Sequence, residues 1–482
     1  MKTNIYALTD SHQESRNLAG ILSGIYNFEK DNDKPFIILD GGDLFKGIYD
    51  KDLSVNAYLK IKELLPRAHI FLTLGNNDFG FKKSDFEYLK STISKFKTAG
   101  IEFVCANMYD SKTGSIADIV PQYKILNING KNLLITGFCV NNSCAKNFGY
   151  IFKPMEEAYS ELIKSVNEPF EKVIVLSHHW YSYSKDLKEF SKTTPVQIDL
   201  IIGGHEHSPI TPDYERKIFY PLSFARSLYR MTLDEDFDEI EEIPLEKLKM
   251  SADFEGPILK YEQDTKLKAP VAKRLLDLSK KYSDPCPLGT FISDNMKRYG
   301  KTQIAFHSTG FTMAHINLCD SKVITKYDID KVICKDSSLI CTMELSADEL
   351  KQVFNNATSL RMHRNRGNTK FVQCSGNIKL AGKGNPEDKT YKITQINIDG
   401  IDLLDENGEP FDKNKKYTCT TDAYIAAGEQ GFEVLKHIPS KPLLIDGKTI
   451  TMNELLHKAL CDAEKTYDGN PQYPSFVLTD NI

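Results

Sequence analysis

Five strand-like apolar runs in the first half of this chain each end in a short cluster of glycine and metal-ligating side chains. Ile5–Thr9 runs into Asp10-Ser11-His12, and Phe36–Asp40 into Gly41-Gly42-Asp43. Ile70–Leu74 leads to Gly75-Asn76-Asn77-Asp78, Val173–Ser177 to His178-His179, and Leu200–Ile202 to Gly203-Gly204-His205-Glu206-His207. Leu133–Phe138 reads as a further strand. Helix-length segments lie between several runs, such as Leu18–Phe28 and Val55–Leu65, the latter with Tyr58, Ile61, Leu64 and Leu65 at helical spacing. Strands alternating with helices form layered α/β sheets, which gather their ligands at the carboxyl ends of the strands.

The clusters supply carboxylates, an amide and imidazoles, the donor types that adjacent divalent ions take. Two such ions about 3.5–4 Å apart form a device for cleaving phosphate esters. Asp10 and His12 are two residues apart, and in an extended segment such residues share a face. The glycines before Asp43 let the backbone turn and bring the carboxylate inward, where it can bridge two ions. Asn76 offers a neutral carbonyl oxygen, His178 an imidazole, and His205 and His207 a second pair two apart. Extended geometry points His179 to the face opposite His178.

Length and charge bound the rest. With 482 residues the chain exceeds one ordinary core, so at least two domains are expected. A formal charge of −5 and the lack of a sustained Lys/Arg stripe argue against a nucleic-acid polymer as partner. No apolar run approaches the roughly 20 residues needed to span a bilayer. Met1-Lys2-Thr3-Asn4 leads directly into the first strand, leaving no room for a secretory signal. That reads as a cytoplasmic chain, or as an exported mature chain whose signal was removed. The ten cysteines form no CxxC pair, and Cys105, Cys139 and Cys341 sit in apolar runs, as buried thiols do.

Near residue 235 the texture changes. The acidic stretch from Asp234 to Glu242 reads as a solvated strand end or linker start. A helical pattern at Val271, Leu275, Leu276 and Leu278 reads as a connecting helix within 249–284. From Pro285 a second α/β pattern begins, with strands at Ile340–Leu345, Tyr391–Ile398 and Tyr417–Thr421.

On the order and spacing of Asp10-Ser11-His12, Gly42-Asp43, Gly75-Asn76, His178 and His205-x-His207, the chain resembles the calcineurin-like metallophosphoesterases. Within them it resembles the bacterial 5′-nucleotidase / UDP-sugar hydrolase family. The run Gly42-Asp43-Leu44-Phe45-Lys46-Gly47 is similar to that family's, as is Leu288-Gly289-Thr290-Phe291-Ile292-Ser293-Asp294 at the opening of a nucleotide-recognition domain. The resemblance implies a four-layer α/β/β/α catalytic sandwich over 1–248, a linker helix region over 249–284 and a C-terminal α/β substrate-recognition domain over 285–482. It implies two divalent ions, which this ligand set leaves open among Zn, Mn, Fe and Co. Asp10, His12, Asp43 and His207 would hold one ion, and Asp43, Asn76, His178 and His205 the other. The implied partner is a small phosphate ester of nucleotide type, handled in nucleotide catabolism. Phe371 and Tyr424 would sandwich its base, as two aromatic faces can.

The chain also departs from the family. Asn77 stands where the family has a histidine and Gly80 where it has an aspartate. An amide can donate to a phosphoryl oxygen but carries no charge and transfers no proton. Losing one electrostatic helper typically costs about 10²–10³ in rate. Met313 replaces an arginine that grips phosphate, and Gln430 replaces a ribose-binding carboxylate while keeping hydrogen-bonding capacity. Arg361, Arg364 and Arg366 form a basic cluster that reads as a solvated helix face or loop. The expected function is two-metal hydrolysis of a 5′-nucleotide or related small phosphate ester. The alternatives are a catalytically weakened metal- and nucleotide-binding protein and a cyclic-nucleotide phosphodiesterase. Oligomeric state is not encoded in any feature of the sequence.

Overall fold

The strand Thr3–Leu8 is buried along most of its length and divides its side chains between two apolar faces. Ile5 and Ala7 meet Ile37, Leu39, Ile135, Ile174 and Ile202 on one side. Tyr6 turns to the other, its ring stacked 6.2 Å from that of Phe28 beside the helix Ser15–Glu29. A period of two with both faces apolar is what a strand between two packed layers needs. In the computed structural model, which describes residues 2–80, 82–141, 143–273, 284–311, 323–333, 338–358, 371–385, 390–466 and 474–480, this strand lies inside a six-stranded sheet. The sheet runs in the order Phe237–Pro244, Ser227–Leu233, Thr3–Leu8, Phe36–Asp40, Ala68–Thr73, Ile101–Val104. Its last four strands are parallel, so their carboxyl ends share one edge.

A second sheet is ordered Ile218–Phe219, Leu200–Gly204, Lys172–His178, Lys131–Cys139, Tyr123–Ile128. Its strands Leu200–Gly204 and Lys172–His178 are parallel, with Gly204 opposite His178. The two sheets share one apolar core between them. Leu18, Leu22 and Ile25 of Ser15–Glu29 and Tyr58 and Ile61 of Lys51–Leu64 are buried outside the first sheet. Ala158, Tyr159 and Leu162 of Met155–Ser165 and Leu187 of Tyr181–Ser191 pack on the second. The result is the four-layer α/β/β/α sandwich. The acidic stretch supplies the turn between Ser227–Leu233 and the edge strand Phe237–Pro244, where charges keep an open edge from pairing further.

The chain divides into compact units at Met1–Glu262 and Gln263–Ile482. The helix nearest the division is Ala252–Asp264. The expected helix through Val271 is corrected: Val271 lies in the strand Pro270–Lys273, paired antiparallel with Val323–Thr325. Pro270 has no N–H to continue a helix and suits a first strand position. Leu275, Leu276 and Leu278 lie outside the described residues.

The second unit holds a five-stranded sheet ordered Val372–Cys374, Ile304–Ser308, Lys416–Asp422, Ile340–Ser346, Ser440–Pro442. Leu350, Val353 and Phe354 of the helix Ala347–Thr358 join Phe306 and Met343 to Ile378 and Ile396 of a four-stranded sheet. On the other face, Leu288 and Ile292 of Pro287–Gly300 and Leu455 of Met452–Thr466 pack with Ala305 and Ile340. Among the described residues, no helix is long and apolar enough to cross a membrane.

Candidate metal centre

The clusters at the carboxyl ends of both sheets converge. Ligand atoms of Asp10, His12 and His207 lie within 4.8 Å of one another, and so do those of Asp10, Asp43 and His178. Asp43 Oδ2 sits between two imidazoles, 3.2 Å from His178 Nε2 and 3.5 Å from His12 Nε2. Asp10 Oδ1 lies 3.4 Å from His207 Nε2 and 3.8 Å from His12 Nε2. Asn76 Oδ1 is 3.2 Å from His178 Nε2. His205 falls outside both sets, with its ring centroid 5.2 Å from that of His178. Asp10, His12, Asp43 and His178 are buried, while His207 is exposed at the mouth.

Extended geometry does not bring Asp10 and His12 together. The strand ends at Leu8, and Asp10, His12, Asp43 and His205 all take left-handed backbone, with φ of 47°, 46°, 58° and 75°. Such conformations are uncommon away from glycine and cost of order 1 kcal/mol or more each. Hydrogen bonds hold them in place. Asp10 N donates to Gly42 O and His12 N to Asp43 O, each at 2.9 Å. His205 N donates to both Asp10 oxygens at 3.1 and 3.0 Å, and Thr9 Oγ1 donates to Asp10 Oδ2 at 2.8 Å. Gly75 is required by close approach, because a Cβ there would fall 2.1 Å from Asp43 Oδ1.

The donor set fits a divalent ion. His178 Nδ1 lies 2.8 Å from Gly41 O and donates to it, which turns Nε2 toward Asn76 Oδ1 and Asp43 Oδ2. In the metal-free chain a proton on Nε2 donates toward these oxygens, and a cation seated among the three atoms would displace it. Burial pulls His178 down, but the Asp43 carboxylate outweighs it and raises the imidazole to about 10. Burial lowers His12 to about 4 and His205 to about 3, leaving both neutral near pH 7 and able to ligate. Burial pushes Asp43 and Asp10 up, yet the surrounding imidazoles hold both below the usual carboxylate range. His12 Nδ1 is buried with no hydrogen-bond partner among the described residues.

Asn77 turns toward the centre's carboxylate. Its backbone N donates to Asp43 Oδ1 at 2.7 Å and its Nδ2 to Asp43 Oδ2 at 2.6 Å. Its Oδ1 accepts from Lys46 Nζ at 2.9 Å. Gly80 has φ of 62°, and a Cβ there would lie 2.3 Å from Asp85 Cβ. Asp85 fills that room and caps the helix Lys83–Ala99. His179 turns aside, its ring 4.3 Å from Tyr183. Sequence reading did not single out four neighbours of the centre. Asp78 ties two ligand loops by accepting from Phe45 N at 3.0 Å and Gly75 N at 2.8 Å. Trp180 packs edge-on at 4.4 Å from the His205 ring. Phe224 lies 5.4 Å from His12 and 5.2 Å from His207, ring to ring. Lys46 is the fourth. Asp78 and Lys46 stood inside quoted motifs, whereas nothing in sequence marked Phe224.

In the second unit, Gln430 Oε1 accepts from Ser308 Oγ at 3.0 Å, and Gln430 takes φ of 55°. Ser308 N and the N–H groups of Tyr424 and Ile425 all donate to the buried Asp422. Tyr424 is half-buried. Phe371, expected to stack on a base, is 0 % exposed and presents no open ring face. It enters the strand Val372–Cys374 with its carbonyl held by Thr309 N and Oγ1. Met313, Arg361, Arg364 and Arg366 lie outside the described residues.

Comparison with known proteins places these features. Residues 3–209 match the calcineurin-like phosphoesterase family, and residues 265–437 match the 5′-nucleotidase C-terminal domain. The chain is 23% identical over 459 residues to a 5′-nucleotidase from Diplobatis ommata, covering 84% of this chain and 76% of that one. It is 24% identical over 472 residues to an apyrase from Tabanus yao, covering 84% and 79%. Among solved structures it is similar to the 5′-nucleotidase precursor of Thermus thermophilus, with a TM-score of 0.72, 18% identity and 99% of each chain covered.

Proposed function

The chain belongs to the calcineurin-like phosphoesterases that carry a 5′-nucleotidase C-terminal domain, and on that premise we propose that it hydrolyses the phosphate ester of a 5′-nucleotide or a related small nucleotide. It is a metal-dependent phosphoesterase by family. The ligands proposed for one ion are Asp10, His12, Asp43 and His207, and for the other Asp43, Asn76, His178 and His205. The observation that carries this assignment is the convergence of His178 Nε2, Asn76 Oδ1 and Asp43 Oδ2, with Asp43 Oδ2 also facing His12. When bound, a pair of divalent ions supplies Lewis acidity and a nucleophile drawn from water at neutral pH. The protein's part is to keep both buried carboxylates ionised and the ligand loops in register. Tyr424 and Gln430 are the residues proposed to meet the nucleoside.

The test is phosphate release from nucleoside monophosphates, with phosphodiesters in parallel, under Zn, Mn, Fe and Co in turn. Release that depends on the metal supports the reading. Inertness toward nucleotides and aryl phosphates, with metal bound, overturns it. One observation favours a catalytically weakened binding protein instead: the Asn77 amide is engaged by Asp43 and Lys46, and Asp85 occupies the room beside Gly80.

A further inference from the structure

Resting on the phosphoesterase reading, we propose that Lys46 is a catalytic cation of this centre, donating a charge-assisted hydrogen bond to a non-bridging phosphoryl oxygen of the bound ester. Its ammonium is 2.9 Å from Asn77 Oδ1, and Asn77 Nδ2 is 2.6 Å from Asp43 Oδ2. That same oxygen faces His178 at 3.2 Å and His12 at 3.5 Å. The ammonium is therefore one amide group away from the carboxylate in the middle of the cluster.

The loop holds it there. Phe45 N donates to Asp78 Oδ1 at 3.0 Å and Gly47 N to Gln13 Oε1 at 2.6 Å, so the backbone on both sides of Lys46 is pinned. Lys46 itself takes φ of 71°, a conformation in which glycine is unstrained and lysine is not. A strained lysine kept beside a cluster of ligands points to use of its side chain. An ammonium is a compact charge with three donors on a flexible stem, so it can keep the Asn77 contact while meeting an anion.

The chemistry calls for such a charge. Phosphoryl transfer spreads negative charge over the equatorial oxygens, and a fixed cation facing them stabilises that charge. Residue 77 is an uncharged amide, and the Lys46 ammonium bonded to it brings a positive charge to the same side of the centre from the neighbouring loop. Lys46 transfers no proton in this role.

The experiment uses the full chain loaded with Mn²⁺ and the variants Lys46→Met, Lys46→Arg and Lys46→Gly. It reads kcat and KM on p-nitrophenyl phosphate and a nucleoside monophosphate, affinity for inorganic phosphate by calorimetry, and Mn²⁺ affinity by fluorescence. Trp180 is the chain's one tryptophan and packs 4.4 Å from His205, so its emission reports the centre directly. Lys46→Met should lower kcat by about 10²–10³-fold. It should also weaken phosphate by about tenfold while leaving Mn²⁺ affinity unchanged. Lys46→Arg should recover part of both losses. Lys46→Gly, freed of the left-handed strain, should melt no lower than the native chain yet show the same losses. Unchanged phosphate affinity and kcat in Lys46→Met overturn the proposal, and so does a rate loss matched by lost Mn²⁺ affinity. If the native chain hydrolyses nothing, the phosphoesterase reading falls, and phosphate affinity alone then decides on Lys46.

Discussion

Asn77 Nδ2 donates to Asp43 Oδ2 at 2.6 Å, the carboxylate oxygen that also lies nearest His178 and His12. The amide therefore holds the central carboxylate in place before any ion arrives. Asn77→Ala should lower the stability of the metal-free chain by about 1.5–3 kcal/mol, the range for a hydrogen bond to a charged group. The deficit should shrink once cations pair the same oxygen. Thermal melts in EDTA and in saturating Mn²⁺ check both halves.

Metal should stabilise the native chain through Asp43. At a free ion concentration of 100 times Kd, mass action adds about 2.7 kcal/mol. Asp43→Ala should abolish that gain together with phosphate release. The measurement is the shift in melting temperature between chelator and added Mn²⁺ for the two chains.

Asp78 should be worth more to stability than to chemistry. Its oxygens accept from Phe45 N and Gly75 N, both buried, and burial with the Asp43 charge raises its carboxyl to about 7. Asp78→Ala leaves two buried donors unpaired, at about 1–3 kcal/mol each. Urea denaturation of the metal-free variant should show a loss of that size.

Restoring an aspartate at position 80 should fail as a single change. Gly80 has φ of 62°, and a side chain there meets Asp85 at 2.3 Å. Gly80→Asp should cost about 2 kcal/mol or more from backbone strain and overlap. Adding Asp85→Ser should return part of it, as read by denaturant midpoints.

Acid should weaken the second unit through His307. Its Nδ1 faces Ser308 O at 3.0 Å and its Nε2 faces Gly289 O at 3.3 Å, and burial lowers the ring to about 4. Between the unfolded value near 6.5 and the folded value, the unfolded chain binds the extra proton. Stability from this residue is thus complete above about pH 6.5 and lost as pH falls toward 4, by roughly 3 kcal/mol. His307→Gln should flatten that limb relative to the native chain in urea titrations at pH 4.5 to 7.5.

The sequence was informative where chemistry is written in residue type next to an apolar run. Phe36–Asp40 is both the expected strand and the observed one, and Asp43 follows it into the cluster. It was silent where the backbone does something unusual. Left-handed φ at Asp10 and His12, rather than an extended segment, turns their side chains together, and no propensity announces that. Contacts between distant segments were equally hidden. Phe224 reaches His12 from a turn with φ of 63°, and the Lys46–Asn77–Asp43 chain of bonds joins two loops. Phe371 has the residue type for stacking, and the burial of its ring is set by the packing around it, which residue type does not announce.

Asp10, Asp43 and Asn76 hang from the first sheet, while His178, His205 and His207 hang from the second. Cations seated among them would act as a rivet through the sandwich, joining layers that otherwise meet chiefly through grease. Stripping them would open a seam in the molecule as well as silence it. The protein's lifetime in a cell, and not its turnover alone, would then follow the supply of trace metal.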